Sequence, residues 1–441
     1  MQEEYLHYLW RLKRLPLNDL TLTDGRKVEL INTGWYNLDA GPDFFNGTVI
    51  IDGIQWSGNI EIHVKSSDWY LHKHQFDKAY DNVVLHVVLE HDKDVIIHGQ
   101  AIPTLELKHK IELNHFEKFS TISNRNIDVP CSLNLNEVDE FNIAQQINVA
   151  LFQRLERKGE ELISYLKRDV QNRKRALLIA IFQSFGGRVN KLPMIELAQI
   201  IPVEIIAREK WDIQRIESIL FGCAGLLNIE SDDDYVDQLI QHWKILKSKY
   251  QLQEMNPVSW KFSGMRPYSF PTFRLAQLSA LLFHWDIGFR QSAKCQSIVS
   301  ELKIAASKPL SSYWENHFRF NQVSKKHNSK ISKNSFNLIL INGIAPYLIY
   351  LQHLEHDFQY SDLALIILEG VSPEKNNITK SWIKYRISPK NAAESQGLIE
   401  LKNEFCNFKK CLSCKIGYAI LEKNNNKENN EELNSEDSVF L

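Results

Sequence analysis

The stretch GPDFFNGTVIIDGIQWSGNIEIHVK carries Asp43, Glu61, His63 and Lys65, the residues of this 441-residue chain best suited to metal-assisted hydrolysis. Asp43 follows Pro42 just ahead of a strand-like run, and Glu61 lies on the next one. Between them, Asp52-Gly53 reads as a two-residue hairpin, because both residue types accept positive φ. Residues two apart on a strand share a face, so Glu61, His63 and Lys65 line one side while Ile60, Ile62 and Val64 face the other. A hairpin then brings Asp43 beside Glu61, and two carboxylates meet a cation. Such oxygen donors suit Mg²⁺ or Mn²⁺, which retain waters for a substrate phosphate. An ion held there activates water and stabilises charge at phosphorus, with Lys65 or His63 orienting the water or neutralising the transition state. The same pattern also fits a half-exposed sheet with no catalytic role, and both readings stay open.

Histidines crowd the same region. His63, His72, His74, His86 and His91 are five of the fifteen in the chain. In an extended segment His72 and His74 present two imidazoles on one side, and with Glu61 or Asp68 they make a His–carboxylate set for Zn²⁺, Mn²⁺ or Fe²⁺. His86, inside VVLHVVLE, and His91 read as ordinary hydrogen-bonded histidines.

The elements that would position these groups follow from spacing and turn chemistry. Residues 2–14 have helical apolar spacing, stopped by Pro16. Strands are expected at 27–31, 48–51, 54–65 (bulged at Gly58), 83–90 and 101–108, with a short helix or turn over 66–80. VVLHVVLE is nearly continuous in apolar residues, as a strand buried on both faces requires. The order predicts an α/β domain on a mixed sheet over 1–115. From 135 to 421 the pattern is mostly α-helical, with helices expected at 142–169, 173–184, 193–200, 211–227, 232–249 and 273–283. Residues 422–441 are polar and low in complexity, the composition of a disordered tail.

With those elements in place, the first 110 residues resemble the PD-(D/E)XK nuclease superfamily, whose α-β-β-β-α-β core implies a restriction-endonuclease-like fold. The resemblance implies that Asp43 and Glu61 are Mg²⁺ ligands. It puts His63 where the family has its lysine, with Lys65 one strand period later as the substitute. It also implies that Glu3 or Glu4 is a first-helix acid. The whole chain is similar to an uncharacterised family common in Bacteroidota, on the strength of GPDF, GxIEIHxKSSDW, HxH followed by LHVV, RPxxFPxxRLAQL and CLxCxIG; this implies no activity.

The helical region has its own candidates. Cys406, Cys411 and Cys414 are spaced to bind zinc or an iron–sulfur cluster, with Cys131, Cys223, Cys295 or a histidine as the fourth ligand. Lys409, Lys410 and Lys415 would favour thiolates there. Arg266 and Arg274 flank a helix start at Pro271 and suit a phosphate. Arg173-Lys174-Arg175, Lys325-Lys326, Lys330 and Lys333 offer backbone contacts to DNA or RNA. A formal net charge of -2 means that any polyanion must bind a local patch. Six cysteines and an amino terminus unlike a secretory signal suit the cytoplasm, and no apolar run reads as a membrane span. The expected function is a metal-dependent nuclease whose helical domain contacts substrate or a protein partner. The alternatives are a non-catalytic nucleic-acid-binding scaffold and a His–carboxylate hydrolase of a small molecule.

Overall fold

Apolar spacing at the amino terminus folds into α1 (Glu3–Arg11), which buries Tyr5, Leu6, Tyr8, Leu9 and Trp10. Acidic residues in its first turn and Arg11 in its last complement the helix dipole. In the computed structural model, which describes residues 3–15, 19–37, 40–111, 113–167, 169–285 and 296–422, the chain forms two units. One is Met1–Ile143 with the segment from Glu404; the other is Ala144–Asn403. The expected tail lies, from residue 423, outside the described residues, as does Cys295.

The first unit continues with β1 (Val28–Asn32), β2 (Trp35–Tyr36), β3 (Phe44–Ile51), β4 (Ile54–Lys65), α2 (Asp68–Leu71), β5 (Val83–Glu90), β6 (Ile96–Ile97), β7 (Gln100–Ala101), β8 (Thr104–Glu106) and α3 (Leu113–Asn124). Its main sheet has the order β1-β3-β4-β5-β8, with β2 also on β3. β1, β3 and β4 are antiparallel, whereas β4, β5 and β8 run parallel, so the sheet is mixed. The hairpin forms at Asp52-Gly53, with φ of 49° and 80°. β6 and β7 make a separate small hairpin.

The expected bulge at Gly58 falls instead on β3. Phe44 pairs with Ile60 but Gly47 pairs with Gly58, so β3 carries one extra residue, and Asn46 takes φ 55°. Gly58 keeps its place because a Cβ there would lie 2.6 Å from the Asn82 carbonyl oxygen, and one on Gly47 would strike Ile60. The extra residue resets the register ahead of it. Unbulged pairing would put Asp43 opposite Ile62, on the core face; the bulge puts it opposite Glu61.

The carboxy-terminal segment, expected within a helical domain of 135–421, groups with this unit. Leu412 and Leu421 share the core of Tyr5 and Trp10. Arg11 donates to the Leu412 carbonyl at 3.3 Å, and Arg14 pairs with Glu422 at 2.7 Å. Apolar contacts with α1, not chain proximity, decide its membership.

The second unit is helical, and the expected helices appear with shifted ends: Glu140–Leu166, Arg173–Gly186, Lys191–Ile200, Ile213–Cys223, Asp234–Tyr250 and Pro271–His284. Lys333–Glu355 is long and apolar enough by composition to cross a membrane, although no such run was expected. About two thirds of its most apolar window is buried inside the protein. This segment contains a π-turn at Leu340–Ile344, next to Pro346, which lacks an N–H. The carbonyl of Asn342, four residues before that proline, accepts from Gln183 Nε2 at 3.1 Å.

Candidate metal centre

β4 supplies Glu61 and His63 from one face, both buried, at 4% and 1% exposure. The chain then turns through α2 and a left-handed Lys73 (φ 64°), which returns His72 and His74 over the end of that strand. The donor atoms of His63, His72 and His74 all lie within 4.8 Å of one another. His63 Nε2 stands 3.2 Å from His72 Nδ1 and 3.5 Å from Glu61 Oε1, and His74 Nε2 is 3.3 Å from the same Glu61 oxygen. A tetrahedral ion with bonds of about 2.0–2.1 Å separates its donors by roughly 3.3 Å. Three of the measured separations therefore match the edges of a metal-ligand tetrahedron. His74 Nε2 is buried without a hydrogen-bond partner despite its nearness to Glu61, a poor hydrogen bond but a good shared cation site. No ion is present.

Surrounding groups fix the imidazoles. His63 Nδ1 and His86 Nε2 share a hydrogen bond of 2.9 Å, the outer contact that orients a ligating histidine. His74 stacks on Tyr80 with centroids 3.9 Å apart and meets Trp69 edge-on. Burial pushes His63 far below the usual histidine range, with help from His86, His74 and His72. Burial likewise pushes His86 down to about 3 and lowers His74. These rings are neutral at physiological pH and keep a lone pair for a metal. Burial raises Glu61 well above the carboxylate range, and the Asp43 charge adds to the shift. A carboxylate so placed gains most from a cation.

Asp43 stands beside this set but is turned differently. Its Oδ2 accepts from the Ile62 N–H at 2.8 Å and lies 3.2 Å from His7 Nε2. Its own N–H donates to Glu61 Oε2 at 3.1 Å. Burial lowers the pKa of His7, on α1, but the hydrogen bond and charge of Asp43 outweigh this and raise it above the usual histidine value. Glu3, one turn earlier, is raised by burial and feels His7, Asp43 and His72, so it faces the site while Glu4 is exposed. Lys65 is exposed at the end of β4, and its ammonium pairs with no carboxylate among the described residues; its N–H donates to Asp68 Oδ2 at 2.9 Å. Asp43 and Glu61 thus come together as the hairpin implies, Lys65 stays outside, and Glu61 is joined by three histidines.

Sequence reasoning missed His7, whose signal was its place four residues after Glu3 on one helix face. It also read His86 as an ordinary histidine, whereas it orients a candidate ligand. His91 does take a plain role, 3.1 Å from Asp94.

The other candidates scatter. Cys131, from before the helical region, neighbours Cys411 and Cys414 closely enough for the thiols to raise one another. Burial outweighs Lys409 and pushes Cys411 up to about 11; Cys414 is raised too, although its sulfur accepts from the N–H groups of Gly417 and Ile416. The expected lysine-stabilised thiolates do not arise, and Cys406 does not join a group of three close donors. Cys223 is core. Arg266 is exposed on a short turn, Pro267–Ser269, while Arg274 is partly enclosed in the first turn of Pro271–His284.

The model of a family described as "Protein of unknown function (DUF2851)" matches residues 3–377, most of the chain and parts of both units. The chain belongs to the DUF2851 family. No curated protein and no solved structure matches it. For this DUF2851 member, function must be argued from the site. Of the candidate donors His72 is exposed, and a catalytic ion, unlike a purely structural one, needs such access to solvent.

Proposed function

We propose that this protein is a metal-dependent hydrolase of phosphodiesters, with DNA or RNA as the substrate class. The observation that carries the reading is the convergence of His63, His72, His74 and Glu61 at metal-ligand separations. Imidazole donors favour Zn²⁺, Mn²⁺ or Fe²⁺ over Mg²⁺. Such an ion lowers the pKa of a bound water and polarises a phosphoryl oxygen. His7, whose protonated form Asp43 favours, would when protonated offset charge developing on the substrate. The choice of phosphodiester rests on strand order: a helix, three antiparallel strands, a short helix and a parallel strand, with Asp43 opposite Glu61, agree with a restriction-endonuclease-like core.

The test is metal analysis of purified protein, followed by hydrolysis of bis(p-nitrophenyl) phosphate, DNA and RNA with Zn²⁺, Mn²⁺, Fe²⁺ or Mg²⁺. His72→Ala, at an exposed position, should abolish turnover without unfolding the chain. Metal-loaded protein that leaves every phosphodiester intact ends this reading. A second reading, a nuclease-like fold retained as a non-catalytic nucleic-acid scaffold, is favoured by one observation: Lys65 stands outside the donor set. It predicts nucleic-acid binding without cleavage.

A further inference from the structure

The helical unit pairs its enclosed cations with care. Arg154 and Arg157 both bond Glu400, Arg215 bonds Glu209, and Arg175, on the carbonyls of Ala198 and Ile201, has Glu204 and Asp169 near enough for their charges to oppose its burial. Arg274 departs from this practice. Its Nη1 donates to Gln277 Oε1 at 2.9 Å and Ser335 Oγ at 3.1 Å, both neutral. Its Nη2 and Nε meet no protein acceptor among the described residues, and no carboxylate lies close enough to influence it, burial alone lowering its pKa. An enclosed guanidinium without an anion is unfavourable unless something else supplies the charge.

That something has room. Arg274 borders a cavity of about 160 Å³ also lined by Arg188, Ser269 and Ser335. Gln277 cannot turn to relieve the arginine, because its Nε2 is committed to the Ser329 and Lys330 carbonyls. Ser335 Oγ already accepts from Arg274 and from Ser332, so its remaining proton is free to donate. Arg188 is exposed at the rim and has no carboxylate partner among the described residues. Phe185, Val189, Met265, Leu338 and Ile339 also line the cavity and give it apolar surface.

We propose that this cavity binds a small organic oxyanion, a phosphate or carboxylate head on a compact apolar body. The head takes paired N–H donors from Arg274, the hydroxyl of Ser335 and the charge of Arg188, while the body lies against Phe185, Leu338 and Ile339. Planar, bidentate donation is what a guanidinium offers to either head group. The inference is independent of the metal centre and stands if that reading fails.

Phenyl phosphate and benzoate share a body and differ in the head, so they distinguish the two sources of the anion; inorganic phosphate reports the head alone. Each is titrated into the full-length protein by calorimetry and thermal shift at constant ionic strength, against chloride. Saturable binding is expected for at least one aromatic anion, tighter than for inorganic phosphate. Arg188→Ala, a rim change that leaves the core intact, should weaken it by roughly tenfold, the effect of losing one charge-assisted contact. Arg274→Lys should weaken it further. Repeating the titration in the His72→Ala chain separates this cavity from the metal centre. The proposal is overturned if neither aromatic anion exceeds chloride, if both arginine variants bind normally, or if His72→Ala removes the binding.

Discussion

The two units treat buried charge in opposite ways. In the helical unit, carboxylates find cations of the same chain: Glu400 has Arg154 and Arg157, Glu209 has Arg215 and Lys249, and Glu161 has Lys158 and Lys191. Glu209 and Glu161 are accordingly held down to about 2 despite burial. In the α/β unit, Glu61 pairs with no lysine or arginine among the described residues; it faces neutral imidazoles and another carboxylate. Charge closed within the chain stabilises a fold, whereas charge left open at a cluster of lone pairs calls for an ion from outside. The difference separates scaffold from site more clearly than any single residue does.

The largest test of this contrast removes a closed charge. Glu400→Ala leaves the largely buried Arg154 without its anion and should cost about 3–5 kcal/mol in denaturant unfolding. A loss below about 1 kcal/mol would mean that these pairs are surface-like and the contrast empty.

Glu217 probes the exception in the helical unit. It is fully buried, the single Ser311 hydroxyl lies 2.8 and 2.9 Å from its two carboxyl oxygens, and no cation pairs with it among the described residues. Burial raises it to about 7, against hydrogen bonds from Ser311, Tyr235 and Trp314 that lower it. The native state therefore keeps a proton that the unfolded chain loses near pH 4.5. The contribution of Glu217 to stability should be fully present below that value and be lost as pH rises towards 7, by about 3 kcal/mol. Glu217→Gln should flatten this slope, and an unchanged slope between pH 5 and 8 would contradict the assignment.

For the open charge the expectation is reversed, since adding an ion should stabilise. Zn²⁺ or Mn²⁺ at a hundred times its dissociation constant should raise the stability of chelator-treated protein by about 2.7 kcal/mol. The gain should vanish in His63→Ala and His72→Ala. Equal stabilisation of the His72→Ala chain would place the ion elsewhere.

The smallest effect is expected at Lys65. Lys65→Ala should change stability by less than about 0.5 kcal/mol, as for other exposed positions, and leave metal affinity as it was. A large loss of metal affinity would bring that lysine back to the centre.

Much of the architecture was legible from local rules. VVLHVVLE reads as a strand from end to end, and β5 spans those eight residues. Asp52-Gly53 forms the hairpin because its two residues accept positive φ, and the period of two puts Glu61 and His63 on one face. Helix ends moved by a couple of residues at caps such as Asp212 and Asp233, where a side-chain oxygen takes an N–H that spacing alone does not assign.

Those readings succeeded because period, turn chemistry and capping act within a few residues of chain. The site needed more. The extra residue at Asn46 decides that Asp43 faces Glu61, and its cause lies in crowding around Gly47 and Gly58 from another strand and loop. His7 reaches Asp43, and His86 reaches His63, across pairings that no sequence period encodes. Cys131 meets Cys411 and Cys414 only because the carboxy-terminal segment packs on α1. The sequence by itself determined which residues could donate to a metal and which strand would carry two of them. Tertiary structure alone decided that three imidazoles and Glu61 meet while Lys65 is left in solvent, because donor geometry is set by packing between segments distant in the chain.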